Sequence, residues 1–205
     1  MTYDCFTFFN ELDLLEIRMN ILKDVVDRFV ICEATVTHQG KPKPLYLLEN
    51  WERFREFHGK MIYIRGDDPP VWDESLRNSY GDNWQIENWQ RSQLKRGLEN
   101  CSDDDVIIVS DLDEIPRPEA IRAHLHDGGI TCFEVEQYAF YLNFRASFGP
   151  FRKTMMAPFA YYRDVLPKLE MPDARAYCIL PQYRIGSDPN KLLGMVPDRI
   201  VRHGG

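Results

Sequence analysis

Asp111 and Asp113 stand one residue apart just past the apolar run Val106-Ile107-Ile108-Val109. On an extended backbone, side chains two positions apart point the same way. Two carboxylates held so repel each other unless a cation joins them. A hard divalent ion, Mn²⁺ or Mg²⁺, suits oxygen ligands of this kind and often brings phosphate with it. An ordinary polar turn after a core strand is the plainer reading of the same residues. Asp103, Asp104, Asp105 and Glu114 lie close by in sequence, but the acids do not form one cluster. The strand between them puts Asp103 to Asp105 about 17 Å from Asp111. Those three read as a solvated turn at the far end of the sheet. Glu114 points away from the aspartate pair unless the backbone turns.

Other groups join the aspartates if the apolar runs are parallel strands. The segments after each strand then meet at the carboxyl edge of the sheet, where open α/β sheets bind their ligands. That edge gathers Asn10, Glu33, Thr35 and His38 with Asp111 as candidates to bind a nucleotide. Thr35 and His38 have the chemistry to contact a base or ribose, although surface polar residues of a loop would look the same. Arg91, on the helix before the aspartate strand, suits a bidentate diphosphate contact. An exposed Glu87–Arg91 pair at i,i+4 is the alternative. Glu134 and Glu136 close the next strand, as candidates for a general base or simply as a charged strand end. Trp72, Tyr80, Trp84 and Trp89 either offer faces to sugar C–H surfaces or anchor the core and loop.

Positioning such groups needs a sheet, and the chain predicts one. Cys5 to Phe9, Phe29 to Cys32, Met61 to Ile64, Val106 to Val109 and Ile130 to Val135 read as strands. Between the first two, Leu12, Leu15, Met19 and Leu22 recur at helical spacing, with Asn10 as a candidate N-cap. A short helix is expected near Trp51 to Phe57 and a longer one from Asp82 to Asn100. A further helix runs from Pro118 to Leu125, closed by Gly128-Gly129. Alternating strand and helix over residues 1–136 predicts an α/β layered domain with a mostly parallel sheet. After it, Tyr138 to Phe144, Phe151 to Tyr162 and Tyr177 to Ile185 are aromatic-rich and read as further strands and loops, with an antiparallel arrangement expected.

The 205 residues suit one domain, 44% hydrophobic and 28% charged, hence globular. A net charge of −7 excludes a general basic surface for nucleic acid. An anionic ligand therefore needs a placed cation. Cys5, Cys32, Cys101, Cys132 and Cys178 are scattered without a Cys-x-x-Cys and read as small buried hydrophobes in a reducing compartment. No leader precedes the first strand, and no apolar stretch approaches the roughly 18 residues of a membrane span. A soluble, cytoplasmic protein is expected.

The segment from Tyr3 to Arg18, Tyr3-Asp4-Cys5-Phe6-Thr7-Phe8-Phe9-Asn10-Glu11-Leu12 onward, resembles the opening of glycosyltransferase family 17. So do Phe29-Val30-Ile31-Cys32-Glu33-Ala34, the stretch Thr37 to Leu45, and Ser110-Asp111-Leu112-Asp113-Glu114-Ile115-Pro116. Several matched segments in order are far more specific than a lone Asp-x-Asp. The resemblance implies a GT-A fold, a UDP-sugar donor (UDP-N-acetylglucosamine in characterised members) and inversion at the anomeric carbon. It implies that Asp111 and Asp113 hold a divalent metal against the donor diphosphate, stabilising charge on the departing UDP. It also favours donor contact by Arg91, within Glu87-Asn88-Trp89-Gln90-Arg91. Inverting transfer to a glycan acceptor needs a base, and Glu134 or Glu136 is the candidate.

On this view residues 1–136 bind the nucleotide sugar and 137–205 face the acceptor, in a single GT-A-like domain. The family's animal members carry a signal anchor and work in the Golgi on N-linked glycans. This chain shows neither anchor nor leader. It stops at Ile200-Val201-Arg202-His203-Gly204-Gly205 where the family continues, so a truncated C-terminus is expected. Two rivals remain. A haloacid-dehalogenase-like phosphotransferase also puts Asp-x-Asp after an apolar strand, but near the first strand of its fold and with Thr or Val where Ile115 stands. The other is a non-catalytic nucleotide- or carbohydrate-binding domain.

Overall fold

A computed structural model describes residues 1–77, 83–136, 138, 151–164 and 199–202. Its strands are β1 (Thr2–Phe8), β2 (Arg28–Ala34), β3 (Met61–Gly66), β4 (Val106–Val109), β5 (Thr131–Val135), β6 (Phe151–Pro158) and β7 (Arg199–Arg202). Its α-helices are α1 (Leu12–Leu22), α2 (Tyr46–Glu49), α3 (Gln85–Gln93), α4 (Pro118–His124) and α5 (Phe159–Asp164). The strands lie in the order β3-β2-β1-β4-β6-β5-β7. All neighbouring pairs are parallel except those made by β6, which runs against both β4 and β5. The fold is the expected α/β class with a mostly parallel sheet, consistent with a GT-A type. The carboxyl ends of β1 to β5 consequently share one edge.

Central β1 shows why the sheet is parallel and covered. It is buried nearly throughout, with Tyr3 and Cys5 on one face and Phe6 and Phe8 on the other. Only a strand with a layer on each side can bury both faces. On the Phe6 side, Leu15, Met19 and Leu22 of α1 pack against Phe29, Ile31 and Ile108. On the Cys5 side, Leu94 and Leu98 cover Val30, Cys32 and Ile107. These two leucines lie on a 3₁₀ turn, Leu94–Leu98, that tightens the end of α3. Gly97 permits the close approach, since a Cβ there would sit 2.4 Å from Val30 Cγ1.

Several details differ from the sequence reading. First, β6 inserts between β4 and β5, so these two parallel strands are not neighbours. Such a return is a long-range pairing with no local signature. Second, Phe151 to Tyr162, expected as strand and loop, ends in helix. The chain turns into α5 because the N–H groups of Phe159 and Ala160 donate to the carbonyls of Asp105 and Asp103 (2.7 and 3.2 Å). Third, Asn10 does not cap α1. Glu11 precedes the helix, and its carboxylate accepts from the N–H groups of Phe9 and Asn10 (3.1 and 2.9 Å). The helix before β4 is also shorter than expected, and Trp51–Phe57 is a 3₁₀ helix. Gly128 and Gly129 adopt φ of +66° and +65°, but they do not close α4, which ends at His124 with Leu125 as its C-cap. The stretches 139–144 and 177–185 lie outside the described residues. Cys5, Cys32 and Cys132 are buried, as their apolar settings predicted.

Candidate active site

The aspartate pair sits in a turn built at the tip of β4. The Glu114 N–H donates to the Asp111 carbonyl, and the Asp111 N–H donates to Glu114 Oε2 (both 3.1 Å). The backbone does turn, therefore, and it spends the Glu114 carboxylate on closing itself. Glu114 is buried, while Asp111 and Asp113 face an open cleft of about 570 Å³. That volume suits a small organic ligand. The cleft wall includes Thr7, Glu11, His38, Trp84 and Arg91, from the ends of β1 and β2 and from α3.

Arg91 reaches Asp111 directly, Nη2 to Oδ1 at 2.5 Å. The same guanidinium holds Glu87 at 2.6 Å, so the expected i,i+4 pair exists as well. It is not an exposed pair, since both side chains are nearly buried. His38 Nδ1 lies 3.8 Å from Glu87 Oε2, which extends the row from the 35–44 loop to the β4 turn. Asp113 is exposed and makes no ion pair among the described residues. The helix that carries Arg91 is aimed by Gln90. Its buried amide donates to the carbonyls of Phe8 and Cys32 (3.2 and 2.7 Å), bridging the ends of β1 and β2. Sequence reasoning passed over Gln90, although a polar residue on the sheet-facing side of α3 is the signal that could have exposed it.

Among the described residues, no three His, Cys, Asp or Glu side chains converge as a metal cage. Two exposed or half-exposed carboxylates in an open cleft are nevertheless a fitting donor set for Mg²⁺ or Mn²⁺. Such an ion is usually bound by one or two carboxylates, with substrate phosphates completing its shell. Asp111 and Asp113 would hold it. Arg91 already balances one of the two charges.

Not every expected residue joins them. Glu33 is fully buried, away from the cleft lining. Its carboxylate accepts from Lys43 Nζ (3.0 Å), the Leu47 N–H (3.2 Å) and the Tyr63 hydroxyl (3.0 Å). Burial first, and then this carboxylate, push the Tyr63 phenol upward from its ordinary value. Thr35 is turned to the Gly66 carbonyl (3.1 Å), tying the ends of β2 and β3. Asn10 is exposed between Phe9 and Glu11, which line the cleft while it does not. Glu134 is buried, 3.9 Å from Arg202 of β7. Glu136 is exposed and accepts from the Tyr138 hydroxyl (2.8 Å). Neither lines the cleft among the described residues.

Asp103 to Asp105 are remote, as expected. They are not simply a solvated turn, because Asp105 is buried and accepts from the Ser102 N–H (2.8 Å), while Asp103 pairs with Arg163. Trp84 lines the cleft with 39% of its surface exposed, so it is available to a ligand. Trp89 instead packs close to Gly66, and Tyr80 lies outside the described residues. The Asp-x-Asp follows the fourth strand of the fold, which removes the haloacid-dehalogenase-like alternative.

Comparison with known proteins agrees with this geometry. The chain is 35% identical over 152 residues to the human β-1,4-mannosyl-glycoprotein 4-β-N-acetylglucosaminyltransferase, covering 70% of this chain and 26% of that protein. The rat protein of the same name matches equally, and the mouse protein is 34% identical over the same length. The chain thus spans about a quarter of the length of the curated relatives it matches. These relatives overturn the expected cytoplasmic location. The human and rat relatives are Golgi enzymes, with which a cytoplasmic location conflicts. Among the described residues no helix is long and apolar enough to cross a membrane. Residues 1–162 match glycosyltransferase family 17. With the α/β sheet, the strand-end aspartates and these relatives together, the chain belongs to glycosyltransferase family 17.

Proposed function

We propose that this chain carries the nucleotide-sugar half of a metal-dependent, inverting transferase that moves N-acetylglucosamine from UDP-N-acetylglucosamine to a glycan hydroxyl. The observation that carries the reading is the exposure of Asp111 and Asp113 together in one cleft, with Arg91 beside them. In a family of glycosyltransferases, a diphosphate is the ligand that calls for two carboxylates and an arginine at once. The carboxylates would hold Mn²⁺ or Mg²⁺, and the chemistry such an ion would supply is Lewis-acid stabilisation of charge on the leaving diphosphate. Arg91 supplies a directional cation to the same group. His38 and Trp84 flank the space a nucleoside or sugar would fill. A base must take the acceptor proton. Of the two strand-end candidates, exposed Glu136 is better placed than buried Glu134, at the end of a strand that shares the cleft's edge.

Calorimetric titration with UDP, with and without Mn²⁺, tests the proposal. Binding is expected only with the metal, and Asp113→Ala is expected to abolish it while the melting temperature stays within a few degrees. Asp113 makes no ion pair among the described residues, so its loss leaves the fold intact. Equal binding in both titrations, or an unaffected variant, would sink the assignment.

A further inference from the structure

We propose that Arg18 is the positioning residue of the Asp-x-Asp turn, acting through the backbone of Ser110 to Glu114. Arg18 lies on the buried face of α1 and is completely inaccessible. Its Nε and Nη2 hold both Asp4 carboxylate oxygens in β1 (2.8 and 2.7 Å). Nη2 also donates to Ser110 Oγ at 2.7 Å. Nη1 donates to the carbonyls of Asp111 and Leu112 (both 3.0 Å) and Glu114 (3.3 Å). The Phe6 ring covers the guanidinium, 4.6 Å from its carbon. Every N–H direction of the fork is used, and four of the six contacts go to the turn.

A buried ion pair is a poor device for stability alone, since apolar side chains of similar volume often do as well. What apolar packing cannot do is gather three carbonyls on one side of a turn. Collected beneath it by Arg18, they fix the peptide planes from 111 to 114 and leave the Asp111 and Asp113 carboxylates facing the cleft. Thr154 of β6 adds its hydroxyl to the Glu114 carbonyl (3.2 Å), which secures the same turn from the neighbouring strand. Arg18 does not itself line the cleft and reaches its lining only through the backbone carbonyls of Asp111 and Leu112, so its influence on a ligand passes through this turn.

The proposal rests on the metal–UDP reading above, and its test separates the two. Mn²⁺-dependent UDP affinity and the electron paramagnetic resonance of bound Mn²⁺ are measured for the wild-type chain, Arg18→Lys, Ser110→Ala and Val26→Ala. Lysine keeps the charge on Asp4 but lacks the planar fork. Arg18→Lys is expected to raise the Mn²⁺ requirement about tenfold or more, as loss of an outer partner of a metal ligand does. Ser110→Ala removes one hydrogen bond and is expected to raise it about fivefold with the fold intact. Val26→Ala makes a cavity at the opposite sheet edge and is expected to lower the melting temperature without moving the Mn²⁺ requirement. Should Arg18→Lys fail to fold, Ser110→Ala alone decides. Wild-type Mn²⁺ affinity in Ser110→Ala, or a Val26→Ala shift as large as that of the turn variants, overturns the positioning role. Absence of metal-dependent binding in the wild-type chain overturns both readings.

Discussion

Replacing Glu33 by Gln should weaken the fold and leave the cleft chemistry intact. Glu33 is the counter-ion of Lys43, 3.0 Å away, and the Lys43 side chain is only 4% exposed. Removing one partner of a buried pair strands the other charge, at a cost of about 3–5 kcal/mol. Lys43 keeps the carbonyls of Phe9 and Pro44 (3.3 and 3.0 Å) and the ring faces of Phe9 and Tyr46 (5.4 and 5.1 Å). Glutamine can still accept from the Leu47 N–H. The lower end of the range therefore applies, about 3 kcal/mol, or a melting temperature lower by about 6–12 °C in a chain of this size. Urea denaturation and thermal melting read the effect, with UDP calorimetry alongside. Glu33→Gln combined with Lys43→Met removes both charges and should recover at least half of the loss. A Glu33→Gln variant that melts like the wild-type chain but loses donor affinity would refute the reasoning. It would return Glu33 to the nucleotide-binding role that its position after β2 first suggested.

Gly97→Ala should destabilise the chain by about 1–3 kcal/mol in urea denaturation, because its new methyl overpacks the sheet. The Cβ would lie 2.4 Å from Val30 Cγ1 and 3.2 Å from Ile64 Cδ1, and an unchanged midpoint would show that the 3₁₀ turn lifts freely. Stability should fall in alkali. Burial, and then Cys101, push the Tyr3 phenol from 10.0 up to about 12, while burial pushes the Cys32 thiol from 9.0 up to about 12. The folded chain keeps these protons where the unfolded chain loses them, so their contribution is full below the unfolded values and fades as pH rises toward the folded ones. Tyr3→Phe should flatten part of this limb between pH 10 and 12, and an identical slope in the variant would exclude Tyr3 as a cause.

The central strands β1, β2 and β4 were legible because each is a short apolar run whose both-face burial a parallel sheet satisfies. Once five strand ends shared an edge, the placement of Asp111, His38 and Arg91 near one cleft followed from topology. Two things were not legible. One is β6, whose insertion between β4 and β5 depends on pairing across distant sequence. The other is the direction of polar side chains after a strand. Glu33 and Asp111 both close apolar strands, yet Glu33 turns into the core toward Lys43 and Asp111 turns out toward Arg91. Strand-end position alone does not separate these outcomes. The cation waiting on each side does.

That distinction also explains how one turn can be both rigid and reactive. The tip of β4 is held from both layers of the sandwich, by Arg18 from α1 and by Arg91 from α3. The two arginines differ in what they take. At the turn, Arg18 takes backbone carbonyls and leaves the Asp111 and Asp113 carboxylates alone. Arg91 takes one Asp111 oxygen within a cleft where a diphosphate would offer it a better partner. The first contact is buried and fully satisfied, so it persists whatever the cleft contains. The second is an ion pair at the cleft wall, which on the proposed function would exchange when an anion and a divalent ion arrive together. Asp4 opposite Arg18 is the sequence trace of the permanent grip: two opposite charges, each on the buried register of its own element, β1 and α1. Charges in such places signal a built network more reliably than acids in a loop, because burying them has no other compensation.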